Sequence, residues 1–210
     1  MRYLARYLVL GCIATVLMSF IRHGFLNHIL DSTPSFTSMH MPELGKAVSA
    51  AIAPPQGSTF AYSPDSNIER MDEQAIASTE AHAHLDIAMY AFTDHILADA
   101  VADAAERGVK VRIYRDQQQY EQESGRDQYV ARRFAAEPNI SIRVKHSSDL
   151  MHLKEWSDGI RLREGSANWS PSGEKRQDNS AAVFTNKLAA QAFENKFQDM
   201  WDRPNNIQVQ

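Results

Sequence analysis

Short apolar runs alternate with amphipathic stretches along most of this chain, a pattern typical of an α/β protein. Residues 85–92 form a nearly continuous apolar run bounded by polar residues, as expected for a strand covered on both faces. Asp94 can cap an amphipathic helix that stops at Gly108, and residues 109–114 return as a strand. Two strands joined through one helix with short connections predict a parallel pair.

Further elements are expected before and after this unit. Ser66 and Glu69 have the spacing of a capping box, which predicts a helix starting there and ending near residue 81. A helix that starts at Ser124 or Asp127 is expected next, followed by a short strand at 140–144.

The last third of the chain predicts a hairpin, a strand and a closing helix. Residues 151–156 and 160–163 read as strands around the turn sequence at 157–159. Residues 179–184 form another strand, and Asn186 can cap the last helix. Apolar residues at helical spacing should bury one face of that helix, namely Leu188, Phe193, Phe197 and Trp201.

The N-terminus differs from the rest of the chain. Arg2 and Arg6 precede an apolar run at 7–21, which as a helix would span roughly 22 Å, short of the roughly 30 Å of a bilayer core. A charged start and a short apolar stretch are typical of a secretory signal or an N-terminal membrane anchor. We therefore expect an exported protein, in the bacterial periplasm or outside the cell, that stays at the inner membrane if the segment is uncleaved.

Composition divides the chain into four parts. Residues 1–30 are the signal or anchor, 31–57 form a flexible linker rich in Ser, Thr, Pro, Ala and Met, 58–204 form the catalytic domain, and 205–210 are a tail. Cys12 is the only cysteine, which excludes a disulfide within the chain.

The charge balance argues against broad adhesion to nucleic acid. The net charge is −4, and without the first thirty residues, which carry three Arg and no acidic residue, it becomes −7. Basic residues nevertheless outnumber carboxylates near the motif described next, so a local basic cleft and an ordinary mixed surface both remain open. These basic residues are Arg143, Lys145, Lys154, Arg161, Arg163, Lys175 and Arg176.

One constellation of residues carries chemistry. His152 and Lys154 are two residues apart, so on a strand both side chains would face the same way. The imidazole can attack phosphorus while the ammonium neutralises non-bridging oxygens. Gly165 would let the backbone approach a phosphate closely, and Ser166 and Asn168 add neutral donors where negative charge develops.

These residues resemble the signature of the phospholipase D superfamily, His-x-Lys-x4-Asp-x6-Gly-Ser-x-Asn. The spacing from Asp158 to Gly165 matches, whereas the spacing from Lys154 to Asp158 is one residue short. The resemblance extends over roughly 58–203 and includes the segments 59–64, 85–116 and 193–201. It implies a phospholipase D-like α/β fold, with a mixed, largely parallel sheet flanked by helices on both faces, preceded here by the N-terminal apolar segment.

The resemblance also implies a mechanism. His152 would attack phosphorus to form a phosphohistidine, Lys154 and Asn168 would bind the phosphate, and Asp178 would support the histidine. Ser166, Gly165 and Asp158 would bind phosphate or support the site, without a metal or other cofactor. A second histidine is needed as the acid, and because the chain has one motif, it should come from the other subunit of a homodimer.

Three functions are compatible with these observations. The first is an exported, metal-independent nuclease that cleaves DNA or RNA. The second is a phospholipase D acting on phospholipid head groups, which the N-terminal membrane segment would suit. The third is a degenerate member that binds phosphodiesters without turnover, because the motif is one residue short. The simplest accommodation of that shortening is a tighter hairpin tip that leaves both halves of the motif in place.

Overall fold

The structure is a computed structural model that describes residues 57–210. The expected signal or anchor at 1–30 and nearly all of the linker at 31–57 lie outside these residues. Among residues 57–210, no helix is both long and apolar enough to cross a membrane.

Strands and helices alternate through most of the described chain. The strands are β1 (Thr59–Ser63), β2 (His84–Met89), β3 (Lys110–Asp116), β4 (Ile140–Lys145), β5 (Lys154–Ser157), β6 (Arg161–Gly165), β7 (Asn179–Thr185) and β8 (Ile207–Gln208). The helices are α1 (Ile68–Ala77), α2 (His95–Glu106), α3 (Gln117–Arg126), α4 (Tyr129–Ala135), α5 (Pro171–Lys175) and α6 (Lys187–Trp201).

The strands form one sheet in the order β1-β7-β6-β5-β2-β3-β4-β8. The predicted parallel pair is confirmed, since β2 pairs with β3 in parallel, and β3 with β4. The remaining pairings between these strands are antiparallel, so the expectation of a largely parallel sheet is corrected to a mixed sheet whose parallel strands are β2, β3 and β4. The reason is that β5 and β6 form a tight hairpin, and β7 returns beside β6 in the opposite direction.

Helices cover both faces of the sheet, as predicted. Alternate residues of β2 explain why, since Ile87 packs into the larger core with α2 while Ala88 packs into the core formed by α6. Because both faces of β2 are buried, the strand carries the continuous apolar run seen in the sequence. It ends at Met89, earlier than the apolar run suggested.

Two helix starts differ from the sequence prediction. Helix α1 is capped by Asn67, whose side chain accepts from the N–H of Arg70, while the Ser66 hydroxyl is engaged with Tyr62 in the preceding strand. The helix expected from Ser124 or Asp127 is α4, which begins at Tyr129 after Gln128, whereas α3, capped by Asp116, was not predicted. At the start of α1 the two candidate caps, Ser66 and Asn67, are adjacent short polar side chains, and local pattern alone does not choose between them.

The C-terminal end also differs. Residues 205–210, expected as a tail, contain β8, which pairs with the edge strand β4. Phe193, Phe197 and Trp201 are buried on α6 as predicted, but Leu188 is 84% exposed. Leu188 is on the opposite side of the helix, because at 3.6 residues per turn it lies about 140° around the axis from Phe193 and about 180° from Phe197.

Candidate active site

The two halves of the His-x-Lys and Gly-Ser-x-Asn motif meet at the loop that follows β2. The N–H of Tyr90 in that loop donates to the carbonyl of Leu153 (3.0 Å), and the N–H of Ala91 donates to Oδ1 of Asn168 (3.2 Å). The loop therefore contacts both halves, at the carboxyl end of a strand, the usual position of sites in α/β folds.

His152 lies two residues before β5 rather than on a strand, because pairing begins only at Lys154. Its exposed imidazole packs against the Tyr90 ring, with centroids 4.7 Å apart and planes at 58°. Partial burial and the nearby Lys154 charge lower the pKa of His152, an effect that the Asp116 carboxylate partly offsets. The imidazole is therefore neutral near pH 7 and has a lone pair available for attack.

Lys154 is buried at the start of β5. Its Nζ donates to the carbonyl of His152 (2.7 Å) and lies 5.2 Å from the centroid of the Tyr90 ring. Burial, and then the positive charge of Arg163, lower the pKa of Lys154 to about 8. The ammonium thus lies beside the backbone of the candidate nucleophile.

Asn168 presents its amide group at the other side of the loop. Its Oδ1 accepts from the N–H of Ala91, which assigns the amide nitrogen to the opposite side. That nitrogen makes no hydrogen bond within residues 57–210, so it is free to donate to a phosphate oxygen.

The loop itself is held from beneath by a buried ion pair. Nε of Arg115 donates to the carbonyl of Met89 (2.6 Å) and Nη2 to that of Tyr90 (3.0 Å), while Nη2 also pairs with Glu123 (2.5 Å). Glu123 accepts in turn from the N–H of Phe92. Tyr90 therefore faces His152 from a backbone that is fixed at several points.

Gly165 and Ser166 lie where β6 approaches β7. A Cβ on Gly165 would lie 2.2 Å from the carbonyl oxygen of Ser180, so glycine is required by strand packing. The Ser166 hydroxyl accepts from the N–H of Ser180 (3.0 Å) and donates to the Asn179 side chain (2.9 Å). Both residues hold the turn that carries Asn168.

Asp158 forms the tip of the β5–β6 hairpin. One carboxylate oxygen accepts from the N–H groups of Ile160 and Arg161, and the other pairs with the Arg161 guanidinium (2.5 Å). Gly159 beside it has φ of +86°, which favours glycine. The turn is at the place where the one-residue shortening was expected, and Asp158 supports it.

Asp178 does not meet His152 within one chain. It lies exposed in the turn between α5 and β7, and no hydrogen bond or ion pair joins it to His152 among the described residues. Among the described residues, the carboxylate whose charge acts on the pKa of His152 is that of Asp116, which accepts from the N–H of Met151 (3.1 Å).

The sequence reasoning did not identify three residues around the motif, namely Tyr90, Arg115 and Asp116. Tyr90 and Asp116 lie at or just after the ends of β2 and β3, and this position at the carboxyl end of parallel strands was a usable signal. Arg115 had no such signal, because its partners are main-chain carbonyls that only the fold reveals.

The chain matches the sequence profile of the family described as "Cardiolipin synthase, PLD-like domain" over residues 74–201. It therefore belongs to the phospholipase D superfamily, whose members are phosphodiesterases.

Relatives and solved structures agree with this membership. The chain is 28% identical over 120 residues to a mitochondrial cardiolipin hydrolase of Chlamydomonas reinhardtii. The aligned region covers 56% of this chain and 51% of the relative. It spans about half the length of the curated relatives it matches.

The fold is shared with the phospholipase D family member Nuc from Salmonella typhimurium, with a TM-score of 0.62 and 24% identity over 73% of this chain and 98% of that one. NucT from Helicobacter pylori gives a TM-score of 0.60 and 20% identity over 72% and 98% of the two chains.

Proposed function

We propose that this chain is a metal-independent phosphodiesterase that uses His152 as its nucleophile. The supporting observation is the loop after β2, which contacts His152 through Tyr90 and Asn168 through Ala91. A neutral imidazole, a buried ammonium and a free amide nitrogen are thus gathered around one space.

The reaction has two displacements at phosphorus. A ring nitrogen of His152 forms a bond to phosphorus, and the bond from phosphorus to the leaving oxygen breaks as that oxygen takes a proton from a general acid. Water then attacks the phosphohistidine, loses a proton to the same group and releases His152. Lys154 and Asn168 bind the non-bridging oxygens throughout, which is why no metal is needed.

The general acid is proposed to be His152 of a second copy of the chain. No second histidine lies beside Tyr90 among the described residues, and His152 itself is exposed, as a site shared across a two-fold axis requires. Asp178 is exposed in the same way and is free to support the imidazole of the partner subunit. The active form would then be a homodimer with one composite site.

Nucleic acid is the proposed substrate, either DNA or RNA. The exposed position of His152 suits a large substrate that approaches from solvent. Arg176 lies exposed beyond α5, and its guanidinium makes no hydrogen bond or ion pair with residues 57–210, so it is available to a phosphate backbone. Export through the N-terminal apolar segment remains part of this proposal.

A phospholipid substrate is the second candidate, and one observation favours it. Leu150, two residues before His152, is 53% exposed and could contact acyl chains. The curated relatives named mitochondrial cardiolipin hydrolase agree with a lipid head group as substrate. Membrane association through the N-terminal segment would bring the site to such a substrate.

The experiment compares the full-length chain with its His152→Ala variant in excess EDTA. Plasmid DNA, RNA and cardiolipin vesicles are supplied separately, and products are followed. His95→Ala is the matched control, since His95 is an exposed histidine paired with Asp127 away from the motif. We expect nucleic-acid cleavage that His152→Ala abolishes and His95→Ala retains.

The other outcomes are equally informative. Lipid turnover alone would move the assignment to the second candidate. Binding without turnover by a folded dimer would overturn the proposal and indicate a degenerate member. Sedimentation decides the homodimer separately, with an expected mass twice the 23.7 kDa of the chain.

A further inference from the structure

Beneath the motif lies a fully buried arginine that is not part of the superfamily signature. Arg163 of β6 is 0% exposed and pairs in register with Trp156 of β5. Its Nη1 donates to the carbonyl of Lys154 (2.5 Å), and its Nη2 donates to the carbonyl of Ala167 (3.1 Å). One guanidinium therefore joins the strand that carries Lys154 to the turn that carries Asn168.

The carboxyl group of Asp72 completes this connection. Asp72, from α1, is also 0% exposed, and its Oδ2 lies 3.2 Å from Nε and 3.1 Å from Nη2 of Arg163. It accepts from the indole N–H groups of Trp156 (3.1 Å) and Trp169 (2.9 Å), the latter next to Asn168. The two guanidinium donors of Arg163 and the two indole donors to Asp72 thus connect this ion pair to both halves of the motif.

A contribution to the stability of the fold is a weak explanation for a buried ion pair such as Arg163 and Asp72. Burying two charges carries a desolvation cost of several kcal/mol for each ion, and apolar residues of similar volume are often as stable or more so. The pair must therefore be explained by the geometry that it imposes, and its hydrogen bonds end on the residues beside the phosphate-binding groups.

We propose that Arg163 is a positioning residue for the reaction. It fixes the separation between the Lys154 ammonium and the Asn168 amide by holding the carbonyls of Lys154 and Ala167 on one rigid fork. This inference rests on the proposed function of His152, Lys154 and Asn168, and it adds a residue that touches no reacting atom.

The charge of Arg163 also affects the pKa of Lys154. The groups that face Lys154 are Arg163 from β6, His152 on its own segment and the Tyr90 ring, with Asp72 from α1 and Glu174 from α5 acting behind Arg163. The guanidinium charge contributes to the lowered pKa of Lys154. Removing the ion pair should therefore raise that pKa.

Two variants of the full-length chain separate geometry from charge. Arg163→Lys retains the charge but loses the fork, so kcat should fall about 10- to 100-fold while the pKa of Lys154 stays in place. The double variant Arg163→Gln with Asp72→Asn should lower kcat and also raise the pKa of Lys154. Bis(p-nitrophenyl) phosphate serves as the substrate.

Arg107→Lys is the matched control, because Arg107 also donates to two main-chain carbonyls, those of Ile76 and Ala77, but away from the motif. Its kcat should match that of the unmodified chain. Circular dichroism and urea unfolding establish that each variant is folded.

A direct titration of Lys154 by lysine-selective NMR keeps the test independent of turnover. If the unmodified chain hydrolyses no phosphodiester, the proposed function fails, while a raised Lys154 pKa in the double variant still supports the coupling to Arg163. A folded Arg163→Lys variant with kcat within twofold of the unmodified chain would overturn the positioning role. An unchanged pKa of Lys154 in the double variant would overturn the electrostatic coupling between Arg163 and Lys154.

Discussion

Glu174 provides the sharpest test of how the buried polar cluster affects stability. This residue of α5 is 0% exposed, and both of its carboxyl oxygens lack a hydrogen-bond partner within the described chain. Its nearest cation, Nη2 of Arg163, is 4.0 Å away. Burial, followed by the charge of Asp72, raises the pKa of Glu174 from 4.5 to about 9.

The sign of the effect follows from proton uptake. At neutral pH the unfolded chain carries Glu174 ionised, whereas the folded chain carries it protonated, so folding binds a proton. Stability from this group is therefore greatest below the unfolded pKa of 4.5 and falls as pH rises toward the folded value of about 9. The slope is about 1.4 kcal/mol per pH unit, or about 3 kcal/mol between pH 5 and pH 7.5.

Glu174→Gln should remove this dependence, because the amide has nearly the same shape and does not ionise. Urea unfolding of the full-length chain at pH 5, 6 and 7.5 should show similar stability at pH 5 and a variant more stable by about 3 kcal/mol at pH 7.5. The exposed Glu80→Gln is the control for the loss of one acidic side chain. If Glu174→Gln is instead less stable at pH 7.5, Glu174 is ionised and paired with Arg163, and the reasoning is refuted.

Three further predictions concern the motif and the cluster beneath it. Activity should be bell-shaped in pH, since the attacking His152, with its lowered pKa, must be neutral, while the partner subunit's His152 must keep a proton as general acid and Lys154, with its pKa of about 8, must stay charged. Full activity that persists far above pH 8 would contradict the assignments that require a proton. Gly165→Ala should cost about 3 kcal/mol in urea unfolding, because the new methyl group meets a main-chain carbonyl of β7. Trp169→Phe should lower the free energy of unfolding in urea by about 2 kcal/mol, because the indole hydrogen bond to Asp72 is lost together with part of the ring. An unchanged free energy of unfolding would contradict this.

The sequence predicted the parts of the fold that depend on local pattern. The apolar run of β2, the hairpin around Asp158 and the buried aromatic face of α6 are visible in periodicity and turn residues. The motif itself was also readable, because the two halves are close along the chain and carry distinctive residue types.

The remaining features depend on contacts between residues distant in sequence. Arg163 and Asp72 are 91 residues apart, and an arginine on a strand gives no local sign that it is buried. Likewise, β8 is too short to show a strand pattern, and it forms because β4 offers an open edge. The dominance of antiparallel pairing follows from where β7 returns, which no local pattern specifies.

The site is held from below by two buried arginines that act alike. Arg115 donates to the carbonyls of Met89 and Tyr90, and Arg163 donates to those of Lys154 and Ala167. These carbonyls lie where strands end or turn, so part of their hydrogen-bonding capacity is not met by the sheet. The planar fork of arginine can satisfy two diverging carbonyls at once, which the single ammonium of lysine cannot do with fixed geometry.

This arrangement explains how the catalytic groups remain available. Each guanidinium is neutralised by a buried carboxyl partner, Glu123 or Asp72, so the backbone around the motif is fixed without drawing on the functional side chains. The Asn168 amide nitrogen and the His152 imidazole keep their free hydrogen-bonding positions as a result. Because these buried ion pairs fix the backbone around the motif, a one-residue change at the tip of the β5–β6 hairpin can be absorbed there without moving the groups that would contact a phosphate.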